Sequence, residues 1–121
     1  IKADSSKTYQ VSPNGFWYSY VTKIDKNKQT PKTGNEVTFE YNITDLQGAE
    51  IYGKDELGYK KYKVDKEDFI SGLQSGIKLM KIGETIIFVI PSYNAFGIFG
   101  DGNRIGINQS IKSTVTLINI K

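Results

Sequence analysis

Residues 65–97 read DKEDFISGLQSGIKLMKIGETIIFVIPSYNAFG, and the change of period inside this stretch decides the fold. Phe69, Leu73, Ile77 and Met80 recur at helical spacing behind an N-cap candidate at Asp65, with Glu67 and Asp68 in the first turn. This predicts one amphipathic helix that begins at Asp65 and ends near Gly83. Gly72 and Gly76 each weaken such a helix by about 1 kcal/mol relative to alanine. Their presence predicts a packing reason, namely a helix lying close against a sheet. From Thr85 to Ile90 the period vanishes into a continuous apolar run stopped by Pro91, as in a strand buried on both faces. Tyr93 and Phe96 then enter a turn.

The flanking sequence supplies the sheet. VTFEYNIT (37–44) sets Val37, Phe39, Tyr41 and Ile43 against Thr38, Glu40, Asn42 and Thr44, the alternation of a half-buried strand. GFWYSYVTKI (15–24), a short segment at Glu50 to Tyr52, YKKYKV (59–64) and SIKSTVTLINIK (110–121) have strand composition between turn-rich connections. The expected fold class is α+β, a five- or six-stranded antiparallel sheet wrapped around one amphipathic helix. Residues 1–14 are polar, aperiodic and closed by Pro13, the pattern of an N-terminal arm or tether; residues 15–121 form the domain.

Composition removes most function classes. The 121 residues carry a net charge of +3 spread over scattered lysines, with Arg104 the single arginine. That is a solvated surface and not the arginine-rich patch of a nucleic-acid binder. No run approaches the roughly 20 apolar residues of a membrane span. With no cysteine and no histidine, there is no thiol nucleophile, no zinc thiolate and no imidazole to activate Ser or Thr. Asp65, Glu67 and Asp68 crowd a first helical turn, where they stabilise the macrodipole. GDGNRIG (100–106) has its third glycine one residue late for a phosphate loop and precedes a strand. DKNKQT (25–30) lacks the glycine and closing glutamate of a calcium loop. No cofactor and no metal is expected.

One reaction class needs none of these groups. Rotation about an X-Pro bond takes tens to hundreds of seconds uncatalysed because amide resonance must be broken. The twisted amide is less dipolar than the planar one, so a dry aromatic cleft with fixed backbone donors favours it.

The order of motifs FISGLQSGIKLMKIGE, IPSYNAFG and a closing TVTLINI, preceded by VTFEYNITDLQGAEI, resembles the FKBP-type peptidyl-prolyl isomerases across residues 15–121. The leading NGFWYSY strand is similar to bacterial exported members, many of them lipoproteins, and most similar to the gliding-motility-associated lipoprotein isomerases of Bacteroidetes. The resemblance implies a prolyl pocket between sheet and helix that takes proline-containing polypeptides. By position, Tyr41 is a wall, Phe69 and Ile70 begin the helix with the Ile70 amide as donor to the substrate carbonyl, and Leu73 is the floor. Phe96 matches the tyrosine of an A-Y-G motif and Ile105 an apolar residue of the covering loop.

The departures are Ile51 and Tyr52 in place of Phe-Asp, Phe96 without the tyrosine hydroxyl, and Ser113 in place of a pocket phenylalanine. A further pocket aromatic has its counterpart at either Tyr59 or Lys60, because the loop after Tyr52 is one residue shorter. Two functions follow as alternatives: an isomerase assisting the folding of exported or surface proteins, or a binding or chaperone module with little turnover. The changes at Tyr52, Phe96 and Ser113 separate them. The resemblance implies a periplasmic or cell-envelope location, with a lipid on an upstream cysteine as the possible anchor; a cytoplasmic location stays open.

Overall fold

The computed structural model describes residues 9–13, 15–24, 29–66, 70–95, 100, 105 and 109–121. Among them the strands are β1 (Gln10–Val11), β2 (Trp17–Thr22), β3 (Glu36–Tyr41), β4 (Ile43–Thr44), β5 (Glu50–Tyr52), β6 (Tyr59–Lys63), β7 (Thr85–Ile90) and β8 (Ile111–Ile120). Helix α1 spans Lys54–Leu57 and α2 spans Ser71–Ile77. All pairings are antiparallel in the order β1-β2-β7-β8-β3-β6, with β4 paired to β8 and β5 to β4. This is the expected α+β architecture.

Alternation decides which face meets α2. Val37, Phe39 and Tyr41 of β3, with Ile111, Ser113, Val115 and Leu117 of β8, point inward and are buried. In β7 the inward residues Ile86, Phe88 and Ile90 are fully buried, and the outward Ile87 and Val89 keep only 8% and 6% exposure. That is why the run lacks a period of two. Phe16, packed edge-on to Phe88 at 5.8 Å between centroids, begins a ring series continued by Tyr18 and Tyr20.

Gly76 of α2 has the packing reason expected of it. A Cβ at residue 76 would stand 2.5 Å from the Phe88 ring, inside any real contact distance, so glycine sets how closely helix and sheet approach. Gly72, Leu73, Gly76 and Ile77 form the buried stripe of the helix.

Several expectations require correction. The helix starts at Ser71, not Asp65. Asp65 has φ 61°, a left-handed conformation incompatible with capping here, and its carboxylate accepts from Lys78 Nζ at 2.8 Å and from Thr33 Oγ1 at 2.5 Å. These bonds, Lys78 first, hold the Asp65 carboxyl below its ordinary range. Asp65 therefore ties the turn after β6 to the end of α2 and to the approach to β3. At its other end α2 tightens, since Leu79 and Met80 donate their amides to Gly76 and Ile77, so Met80 is buried just beyond the helix. Phe69 lies outside the described residues. The loop from Gly53 to Gly58 contains α1, which the sequence reading omitted. Of the expected arm, Gln10 and Val11 pair with Tyr18 and Trp17 as an edge strand, and residues 1–8 lie outside the described set.

Among the described residues, Glu84 is a buried carboxylate, 1% exposed. Its two oxygens accept the Lys81 amide at 2.8 Å and the Ile24 amide at 3.0 Å, joining the end of β2 to the turn that enters β7. Its charge is the second cause, after burial, that raises the Tyr20 pKa.

Alanine at position 76 tests the close approach. Overpacking costs about 1–3 kcal/mol, against a propensity gain of about 1 kcal/mol. We expect Gly76→Ala to lower the melting temperature, whereas a solvent-facing helical glycine gains from the same change.

Candidate functional site

The residues expected to line a cleft, so far as they are described, come from four separate segments. Tyr41, Ile70, Leu73 and Ile105 belong to one buried apolar cluster, and Ile51 and Tyr52 pack against it. Tyr41 ends β3, where its ring lies 5.4 Å from that of Phe39. Burial raises the Tyr41 pKa, so the hydroxyl stays neutral at physiological pH. Tyr52 pairs with the buried Ile43 across β4 and β5, so its ring shares the inward side that the sequence left undetermined. Leu73 has no exposed surface, while Ile51 and Tyr52 are half-buried.

Ile70 is the residue from which α2 starts, with φ −57° and ψ 120°. Its carbonyl accepts the first helical bond, from the Gln74 amide at 2.9 Å. Among the described residues no hydrogen bond engages its N–H. Phe96, like Phe69, lies outside the described residues, so the two aromatics expected at the start of the helix and in the turn after β7 are not placed.

Ser113 is placed differently from a simple substitute for a ring. It is fully buried, opposite Phe88 of β7, and its Oγ donates to the carbonyl of Asn42 at 2.5 Å. Asn42 stands at the break between β3 and β4. Its own side-chain oxygen accepts the Thr114 amide at 2.8 Å, and its backbone amide donates to the Thr114 carbonyl. The serine hydroxyl thus repairs a strand interruption. Sequence reasoning missed Asn42 in this role, because the alternation runs straight through it.

Register also decides between Tyr59 and Lys60. Lys60 pairs with the inward Phe39, and Tyr59 with the outward Glu40. Tyr59 is accordingly 67% exposed on the far side of the sheet, and the lysine takes the inward place.

Cavities lined by other described residues are polar. One of about 370 Å³ is bounded by Glu50, Gly53, Lys54, Asp55 and Glu56. Another of about 260 Å³, bounded by Glu40, Asn42, Lys54, Thr114 and Thr116, opens on the outward face. Among the described residues no group of three or more potential metal ligands is assembled, and no helix is long and apolar enough to cross a membrane.

Residues 27–118 match the family model of the FKBP-type peptidyl-prolyl cis-trans isomerases. The chain belongs to that family. Among solved structures it is similar to FkpA from Escherichia coli, with 26% identity and a TM-score of 0.79 over 93% of this chain and 51% of FkpA. It is also similar to a peptidyl-prolyl cis-trans isomerase from Pseudomonas syringae pv. tomato, with 21% identity and a TM-score of 0.78 over 93% of this chain and 80% of that one. The chain therefore spans about half the length of FkpA. In this FKBP domain the inward face, the seven-residue helix and the buried strand β7 carry the motifs that the sequence presented.

The Ser113 contact yields a test that separates structure from chemistry. Ser113→Ala removes one buried bond and leaves the Asn42 carbonyl to be satisfied elsewhere. We expect a loss of about 0.5–1.5 kcal/mol in denaturant unfolding, with turnover of a proline peptide unchanged because this hydroxyl already has its acceptor inside the fold.

Proposed function

We propose that this domain catalyses cis-trans rotation of X-Pro bonds in polypeptide substrates, by enclosing the proline in an apolar cleft and without covalent or metal chemistry. The reading is supported by the membership of Tyr41, Ile70, Leu73 and Ile105 in one buried apolar cluster, with Tyr52 packed against it. Apolar walls exclude water from the amide, which favours the less dipolar twisted form. A backbone donor fixed at the cleft aligns the substrate carbonyl at no cost in side-chain ordering.

Family membership supports the reaction class. The substitution of Tyr52 for a carboxylate alters the polar lip without opening the apolar enclosure, which supports retained turnover over binding alone. The reading that clients are exported or surface polypeptides, with the protein held in the cell envelope by an upstream lipid, is supported by the NGFWYSY leading strand. Fractionation and mass spectrometry of the full-length product check it.

The Ile70 amide gives the sharpest test of the site. Its φ of −57° is compatible with proline, which removes the N–H and keeps this angle. We expect Ile70→Pro to lower kcat/KM about 3- to 10-fold relative to Ile70→Val, the equivalent of one neutral hydrogen bond of about 1 kcal/mol, in NMR exchange measurements on a proline peptide. Equal rates in the two folded variants exclude the amide as a substrate donor. Binding of the peptide by the unmodified domain with no exchange enhancement supports the binding or chaperone alternative instead.

A further inference from the structure

The outward face of the sheet holds a polar depression that prolyl rotation does not use. Its volume is about 260 Å³, and Glu40, Asn42, Lys54, Thr114 and Thr116 bound it. Directly opposed residues of an antiparallel pair project from the same face, with Cβ atoms about 4.5–5.5 Å apart. Glu40 of β3 opposes Thr116 of β8 on one side and Tyr59 of β6 on the other. The Tyr59 ring therefore stands beside Glu40 on this face, 67% exposed.

The framework holds the lining groups in place. The side-chain oxygen of Asn42 accepts the Thr114 amide at 2.8 Å, which orients the carboxamide; among the described residues no bond engages its N–H donors. Thr116 Oγ1 is fixed 2.9 Å from Thr85 Oγ1. Lys54 Nζ stands 3.8 Å from the Glu40 carboxylate, so the two charges offset each other and the lining carries no net charge. A charged ligand finds no unbalanced opposite charge there. What the depression offers instead is N–H and O–H donors interleaved with hydroxyl and carboxylate acceptors. A ligand bearing several neutral hydroxyls can pair with both kinds of group.

We propose that this depression is a saccharide-binding site, in which the Tyr59 ring covers the C–H face of a neutral sugar while Glu40, Asn42, Thr114 and Thr116 pair its hydroxyls. A sugar ring has one apolar face and a rim of hydroxyls, and an exposed aromatic ring beside a polar floor matches both. The volume falls below the roughly 300 Å³ at which pockets for drug-sized ligands begin, which limits the occupant to one small ring. The site lies on the side of the sheet away from α2 and from the residues assigned to prolyl rotation, so the two activities are independent.

The test is a two-dimensional NMR shift titration of the domain with glucose, galactose, mannose and N-acetylglucosamine, each as the free sugar and as the terminal residue of an oligosaccharide. Glucuronate and glucosamine serve as charged comparisons. We expect saturable shifts of the Asn42 side-chain amide and of the Thr114 and Thr116 signals with at least one neutral sugar, and saturation transfer between the Tyr59 ring and the sugar C–H protons. Binding of either form supports the site, and the tighter of the two identifies its source. Thr114→Val, which removes one hydroxyl from a strand position, and Tyr59→Leu, which removes the flat ring, should each weaken binding about 2- to 13-fold. Lys61→Ala, exposed on the same face of β6, should leave binding unchanged, and turnover of a proline peptide should be equal in all three variants. No saturable shift with any neutral sugar overturns the proposal. Affinity untouched by both Thr114→Val and Tyr59→Leu in the folded domain does so too, as does tighter binding of glucuronate or glucosamine than of every neutral ring.

Discussion

The contact between Gly76 and the Phe88 ring sets how closely α2 approaches the sheet, and the proposed cleft depends on that distance. Phe88 also packs edge-on against Phe16, at 5.8 Å between ring centroids. With the helix drawn this close, Leu73 is sealed in the core and Ile70 is brought to the same apolar surface as Tyr41. Close packing of this kind is sensitive to small volume changes, which makes a residue with no side chain a determinant of the site.

The electrostatics of the cleft follow from what surrounds it. Burial keeps Tyr41 protonated, Ser113 has its acceptor within the fold, and the buried carboxylate of Glu84 is occupied by two backbone amides. Polar groups are thus used to close the framework. The proposed cleft, of rings and aliphatic side chains, would suit a reaction in which charge separation falls on the way to the transition state. The same economy places the ion pair of Asp65 at the surface, where it holds the end of α2 and not the chemistry.

Much of the fold was legible because periods of two and of roughly four are direct images of strand and helix geometry. The alternation through Val37, Phe39 and Tyr41 and the unbroken run from Ile86 to Ile90 both carry over into burial. The helix start was misread because Asp65 has a long-range partner set, Thr33 and Lys78, that competes with capping and is invisible locally. Helix α1 is too short for a period to register. The choice between Tyr59 and Lys60 required register, since a slip of one residue sends a side chain to the opposite face. The interruption at Asn42 was hidden because the pattern of residue types continues across it, and only the bonds to Ser113 and Thr114 reveal its role. Tyr41, Ile70, Leu73 and Ile105 share one buried cluster with Ile51 and Tyr52 packed against it, whereas Phe69 and Phe96 lie outside the described residues.

The central claim is that rotation here proceeds by enclosure and a backbone donor, with no side chain exchanging a proton. A chain without histidine or cysteine has no side chain whose ordinary titration falls between about pH 5 and 8. The most direct measurement is kcat/KM for an uncharged proline peptide across that range, read by NMR exchange. The account predicts a flat profile and equal rates in light and heavy water. A bell-shaped or sigmoidal profile for the folded domain, or a solvent isotope effect well above one, contradicts it.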